Sequence, residues 1–250
     1  MSFTNPIASH EHSLGILNLL NGYDSFLDSL GVVYDVGCGA GLDAKWWATL
    51  ETREDPPEPR NYKVYAIDKT LDQIDPEVRA TRGIRWIKRD FENDLMIADK
   101  ADLMWCHDAF QYCISPVTTL RNWSNYINTN GMLVLSLPQS IDYVYNRLQF
   151  KSTNYNYYNY SILNLVYMLA VNGFDCNDAY FYKNPANHWI QAAVYKSCDP
   201  MDPATTGWFD LAKNKLLHPS IIDSLNRNGF VKQDEVVFPW LDKDFYIART

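Results

Sequence analysis

The 250-residue chain has no apolar run long enough to cross a bilayer, no C-x-x-C pair among its five cysteines, and fewer basic than acidic side chains. The first absence excludes a spanning helix, which needs about 20 consecutive apolar residues. The cysteines, at positions 38, 106, 113, 176 and 198, are odd in number and scattered, which excludes a disulfide framework and a thiolate zinc site. His10-Glu11-His12 lies in a polar terminal segment and reads as solvated, so no metal is expected. With 22 Lys and Arg against 30 Asp and Glu, a formal net charge of -8, the chain lacks a broad electrostatic footprint for nucleic acid. Only a local basic groove would be compatible with that total. The opening MSFTNPIASHEHS has neither the basic start nor the apolar centre of a signal peptide. A cytoplasmic protein with no membrane partner is expected.

What the chain does have is glycine in one concentrated place. Val32 to Trp47 reads VVYDVGCGAGLDAKWW. The β-branched and aromatic run Val32, Val33, Tyr34 and Val36 suits a strand buried on both faces. Gly37, Gly39 and Gly41 remove every Cβ from the turn, so the backbone can take positive φ and a ligand can approach it closely. A helix beginning near Leu42 aims its free N–H groups into that turn, the opening of a nucleotide-binding α/β unit. The dinucleotide pattern G-x-G-x-x-G would put its last glycine where Leu42 stands. The spacing is instead D-x-G-x-G-x-G, beginning at Asp35.

That pattern resembles the first motif of the class I S-adenosylmethionine-dependent methyltransferases. The resemblance implies a Rossmann-like, doubly wound, seven-stranded and mostly parallel sheet whose last strand is antiparallel. It also implies S-adenosylmethionine as cofactor, S-adenosylhomocysteine as product, and a cofactor site of Asp35, Gly37, Cys38, Gly39, Gly41, Asp68, Lys69, Asp90, Phe91 and His107. Further strands read at 62–68, ending on Asp68, and at 83–90, ending on Asp90. An acid at the second tip can accept both ribose hydroxyls, and Asp90-Phe91 matches the adenine-reading position. A fourth strand runs from Ala101 into a loop, and Gly131 to Pro138 forms a fifth after a helix from Pro116 to Asn128.

The loop Cys106-His107-Asp108-Ala109-Phe110-Gln111-Tyr112 carries no motif for methylating bases. It is similar to the N-A-A-L-Q-W loop of small-molecule enzymes related to trans-aconitate methyltransferase, with His107 at the Asn position and Tyr112 at the Trp position. His107 and Tyr112 are the catalytic candidates; as the one histidine expected at the mouth of the site, His107 has a pKa suited to a general base. Residues 139–160 form an insertion expected to lie over the crevice as an aromatic lid. Its Tyr143, Tyr155, Tyr157 and Tyr158 are candidate substrate contacts, offering apolar faces and hydroxyls. The helix 161–174 and two strands, 178–182 and 189–195, then close the sheet, with His188 just ahead of the last.

The methyltransferase domain is therefore expected at 1–198, with the lid inside it, followed by a helical and β-hairpin extension at 199–250 that serves packing or a homodimer. Transfer of a methyl group to a small-molecule acceptor by in-line displacement is the expected reaction. Two alternatives stay open: a catalytically silent cofactor-binding or interaction protein of the same fold, and an RNA methyltransferase.

Overall fold

The computed structural model describes residues 6–138, 160–184, 189–232 and 235–237. Helices α1 (Pro6–Leu20) and α2 (Asp24–Asp28) precede β1 (Val32–Val36), α3 (Leu42–Ala48), β2 (Lys63–Asp68), α4 (Pro76–Arg79) and β3 (Ile84–Lys88). There follow β4 (Ala101–His107), a 3-10 turn at Phe110–Tyr112, α5 (Pro116–Tyr126), β5 (Ile127–Pro138) and α6 (Ile162–Val171). The chain continues through β6 (Phe174–Asn184), β7 (Trp189–Lys196), α7 (Trp208–Lys213) and α8 (Pro219–Asn228). Residues 139–159 of the expected lid, with its four tyrosines, His188, and most of the hairpin expected near the end of the chain lie outside the described residues.

The seven strands form one sheet in the order β3-β2-β1-β4-β5-β7-β6. Neighbours pair in parallel from β3 to β5, and β7 is antiparallel to both β5 and β6. This is the Rossmann-like arrangement anticipated above. The order reverses between β1 and β4, so the crevice at their carboxyl ends is the switch point where such sheets bind ligands.

The continuous apolar runs are explained by two cores. Tyr34, Val36, Tyr65, Ile67, Met104 and Cys106 point to one face, against α5 and α6, while Val33, Val64, Ala66, Leu103 and Trp105 point to the other, against α1 and α3. Strand period 2 puts alternate residues on opposite faces, and because both faces are covered no polar alternation survives in the sequence. Adjacent Trp46 and Trp47 divide as their spacing requires: Trp47 is buried and Trp46 only partly so.

Two strand starts differ from expectation. β5 begins at Ile127, which pairs with Ala101, and not at Gly131, because a bulge between Ala101 and Leu103, with Asn130 at φ 64°, lets pairing continue through Asn130-Gly131. β6 likewise begins at Phe174, with an irregularity before Tyr180. Beyond residue 198 the chain stays on the same core. Leu211, Leu216, Leu217 and Ile221 are buried with it, Cys176 bridges to Leu217, and the Tyr167 hydroxyl donates to the Thr206 carbonyl at 2.6 Å.

Asp43, read from sequence as a helix-dipole partner, is a buried junction between three elements. Its carboxylate accepts from Trp105 Nε1 on β4 at 2.8 Å and from Ser13 Oγ on α1 at 2.7 Å, and it lies 2.5 Å from His10 Nδ1. His10 is thus docked on α3, a correction to its solvated reading; His10 and Ser13 of α1 find their acceptor 30 or more positions away in sequence. Asp43→Ala leaves the fully buried Trp105 Nε1 without an acceptor, removes the ring partner of His10, and leaves the buried Ser13 hydroxyl only its bond to the His10 carbonyl at 2.8 Å. We expect a loss of about 3 kcal/mol in urea unfolding, and about 1 kcal/mol for Ser13→Ala, at roughly 1 kcal/mol per hydrogen bond.

Candidate active site

β1 ends at Val36, and the N–H groups of Gly37 and Cys38 both donate to the Ile67 carbonyl, at 2.8 and 3.1 Å. This folds the glycine turn over the tip of β2. Gly37 has φ +73°, and a Cβ there would lie 2.2 Å from Ala109 Cβ and 3.6 Å from Phe91 Cε1. The turn after β1, the loop after β3 and the loop after β4 therefore meet at this residue. Gly39, at φ +52°, would place its Cβ near nothing but Gln73 Nε2 at 3.6 Å. That side of the turn is open to a ligand.

Asp68 closes the tip of β2. Its Oδ2 accepts from the Gly39 N–H at 2.9 Å and its Oδ1 from Thr70 N at 3.1 Å. A carboxylate has about four lone-pair sites, so two remain for a pair of ligand hydroxyls. Asp90, just past β3, accepts from Glu92 N at 3.1 Å and pairs with Lys69 Nζ at 2.9 Å. Phe91 is buried, its ring edge-on to Trp123 at 5.9 Å and its carbonyl accepting from Trp123 Nε1 at 2.9 Å.

Behind this edge stand the buried members of the motif. Asp35 is 2 % exposed, and its Oδ2 has no hydrogen-bond partner among the described residues. Burial holds its carboxyl well above the usual range, the charges of Asp43 and Asp68 push the same way, and the Ala44 N–H opposes them. The Cys38 thiol is raised by burial and by Asp35 and Asp68, which makes it unreactive. Gly41 caps α3 in the left-handed region at φ +77°.

The loop after β4 differs from its sequence reading. His107 is the last residue of β4 and is 6 % exposed, so it does not stand at an open mouth; its ring lies nearly parallel to that of Trp105, 6.3 Å between centroids. The cause is pairing of His107 with Ser136 on β5, which carries the strand one residue further. Tyr112 is half-buried at the end of the 3-10 turn. Between them Asp108 takes φ 53°, accepts from Gln111 Nε2, and is pushed up to about 7 by burial, with the Gln111 hydrogen bond pulling the other way. It is the residue that motif comparison passes over, although an acid directly after an apolar strand run repeats the pattern of Asp68. A cavity of about 680 Å³ opens beyond this turn, lined by Ile114, Pro116, Tyr160, Asn164, Tyr167 and Trp208 among others. Among the described residues no group of His, Cys, Asp and Glu could hold a metal, and no helix is long and apolar enough to cross a membrane.

The fold and the glycine-acid edge are similar to those of the class I S-adenosylmethionine-dependent methyltransferases. Residues 34–135 match the family model described as a methyltransferase domain. Malonyl-[acyl-carrier protein] O-methyltransferase 2 of Coxiella burnetii (strain RSA 493 / Nine Mile phase I) is 23% identical over 107 residues, 43% of this chain and 41% of that protein. The match thus spans less than half the length of that relative. Magnesium protoporphyrin IX methyltransferase from Synechocystis PCC 6803, solved with bound SAH, is 15% identical with a TM-score of 0.56, over 76% of this chain and 84% of that one. The N-methyltransferase NodS from Bradyrhizobium japonicum WM9 is 13% identical with a TM-score of 0.53, over 78% and 98%. At these identities the structural likeness speaks for the fold.

The residues at the edge fit the cofactor: an open glycine, an acid with two free acceptor sites, and a second acid beyond it. Gly37→Ala is expected to destabilise the chain by more than about 2 kcal/mol, from positive φ plus a collision between two Cβ atoms. Gly37→Ala with Ala109→Gly should recover the collision and leave only about 1 kcal/mol of φ cost. Urea unfolding of the three variants checks this, and equal losses in single and double mutants would contradict the packing described.

Proposed function

We propose that the chain transfers the methyl group of S-adenosylmethionine to a small-molecule acceptor, and that Gly37, Gly39, Asp68, Asp90 and Phe91 hold the adenosyl group. The observation that carries this reading is the Gly39 N–H donating to Asp68 at 2.9 Å on the open side of the turn. Asp68 takes the ribose hydroxyls on its remaining acceptor sites. Asp90 accepts from the adenine amino group, exchanging part of its contact with Lys69. Phe91 supplies an apolar wall, while Asp35, Cys38 and Gly41 shape the turn from behind.

The cofactor brings a methyl group already activated by its sulfonium. The protein's part is then to orient the acceptor and exclude water, which can supply on the order of 7 to 11 kcal/mol. Tyr112, half-buried at the end of the 3-10 turn, is the described side chain offered to the acceptor in this reading, and the lid tyrosines Tyr143, Tyr155, Tyr157 and Tyr158 remain candidates outside the described residues. The acidic total and the loop's likeness to small-molecule enzymes favour a small acceptor over RNA. A small acceptor is also in keeping with two similar proteins, a malonyl-[acyl-carrier protein] O-methyltransferase and a magnesium protoporphyrin IX methyltransferase.

Calorimetric titration with S-adenosylhomocysteine tests the reading. Binding in the micromolar range is expected, weakened at least tenfold by Asp68→Ala, the scale of a lost hydrogen bond to a charged group. No heat at millimolar ligand would overturn it.

A further inference from the structure

The partly buried acid that the motif does not name follows β4 at the rim where the glycine turn and the strand tips converge. Asp108 follows β4 directly, at the switch point between β1 and β4, and its neighbour Ala109 is the residue against which Gly37 packs. Its backbone is fixed from both sides: its N–H donates to Ser136 O at 3.0 Å, and the turn that follows is closed by Tyr112 N to Ala109 O at 3.0 Å. A non-glycine residue at φ 53° is uncommon and costs energy, and such residues cluster at functional sites.

Gln111 supplies the second, independent observation. It is 1 % exposed, its Nε2 donates to Asp108, and its Oε1 has no hydrogen-bond partner among the described residues. A buried amide oxygen left unpaired costs roughly 1 to 3 kcal/mol, so it calls for a donor from outside. Asp108 and Gln111 together offer acceptors and no spare charge. No Lys or Arg pairs with Asp108 among the described residues, and the titratable groups beside it are His107 and the buried Cys106, whose own thiol is raised by burial and by Cys113. What such a pair recognises is an N–H or O–H group, not a carboxylate.

We propose that Asp108, held by Gln111, is the proton acceptor at the reacting centre, and that the methyl acceptor is an amine or a hydroxyl. The inference rests on the methyltransferase reading above. Asp108 takes the N–H or O–H proton as the acceptor's electron pair forms the bond to the methyl carbon. The pair from the broken S–C bond stays on sulfur, and the proton passes from Asp108 to water when product leaves. A general base works best when its pKa is near the working pH, and burial has brought this carboxyl to about 7.

The test needs no identified acceptor. In the full chain labelled with ¹³C at aspartate carboxyls, the Asp108 resonance, assigned by its loss in Asp108→Asn, is titrated alone, with S-adenosylhomocysteine and with S-adenosylmethionine. Asn also tolerates the left-handed backbone, so the variant is expected to fold. The free protein should titrate near pH 7. The cationic sulfonium should lower the midpoint by about one unit or more relative to the neutral thioether, since an opposite charge nearby favours the carboxylate. Gln111→Met, which deletes the donor, should raise it. By calorimetry the preference for S-adenosylmethionine over S-adenosylhomocysteine should grow severalfold between pH 6 and pH 8, and stay flat in Asp108→Asn. Equal midpoints in the two complexes, or a titration in the ordinary carboxylate range, overturn the inference while leaving cofactor binding intact. Failure of both ligands to bind overturns the functional reading itself, and this inference with it.

Discussion

The glycine-acid edge depends on gathering fully and partly buried carboxyl groups with no cation paired beside them among the described residues. Asp35, Asp43, Asp68 and Asp108 are all held in or near the switch point, and among the described residues no Lys or Arg pairs with any of them. Two like charges about 5 Å apart repel by roughly 3 kcal/mol at an effective dielectric near 20. The chain meets this in two ways. Asp35 is shifted far toward its neutral form, and Asp43 and Asp68 are supplied with donors, from Trp105, Ser13 and His10 in one case and from Gly39 and Thr70 in the other. A ligand bearing positive charge completes what the protein leaves unbalanced.

The same constraint accounts for the division of labour around the glycine turn. Gly37 cannot carry a side chain because three loops converge on it, whereas Gly39 is free on one side and offers its N–H to the acid of the next strand. One glycine serves packing and the other serves approach. Behind them Asp43 links α1, α3 and β4, so the turn is braced from the α1 face by hydrogen bonds and from the opposite face by Phe91 on Trp123.

Most of this frame is legible in the sequence because it depends on local period and on glycine spacing. The strand tips at Asp68 and Asp90 and the left-handed turn follow from an apolar run that closes on an acid or a glycine. What the sequence does not disclose is contact made across long separations. His10 and Ser13 read as polar terminal residues because their acceptor, Asp43, is 30 or more positions away. His107 reads as a loop residue because only the register with Ser136 on β5 extends β4 to include it. The starts of β5 and β6 are set by bulges, which leave no periodic mark. Asp108 is hidden for another reason: it stands between His107 and Tyr112, the positions that the resembled loop marks.

A buried acid next to a sulfonium raises an apparent objection, since a carboxylate that stabilises the cationic cofactor in the ground state works against the loss of that charge in transfer. The objection weighs little if the carboxylate takes a proton in the same step. Negative charge on Asp108 then disappears as positive charge leaves sulfur, so the charges annihilate together and the buried site is not left with an unpaired anion. This is also why an anionic acceptor fits poorly here. A carboxylate substrate would need no base, would bring a further negative charge into a region that already crowds Asp35, Asp43 and Asp68, and would leave the Gln111 oxygen unsatisfied. An amine or hydroxyl acceptor satisfies that oxygen, and its proton neutralises the acid.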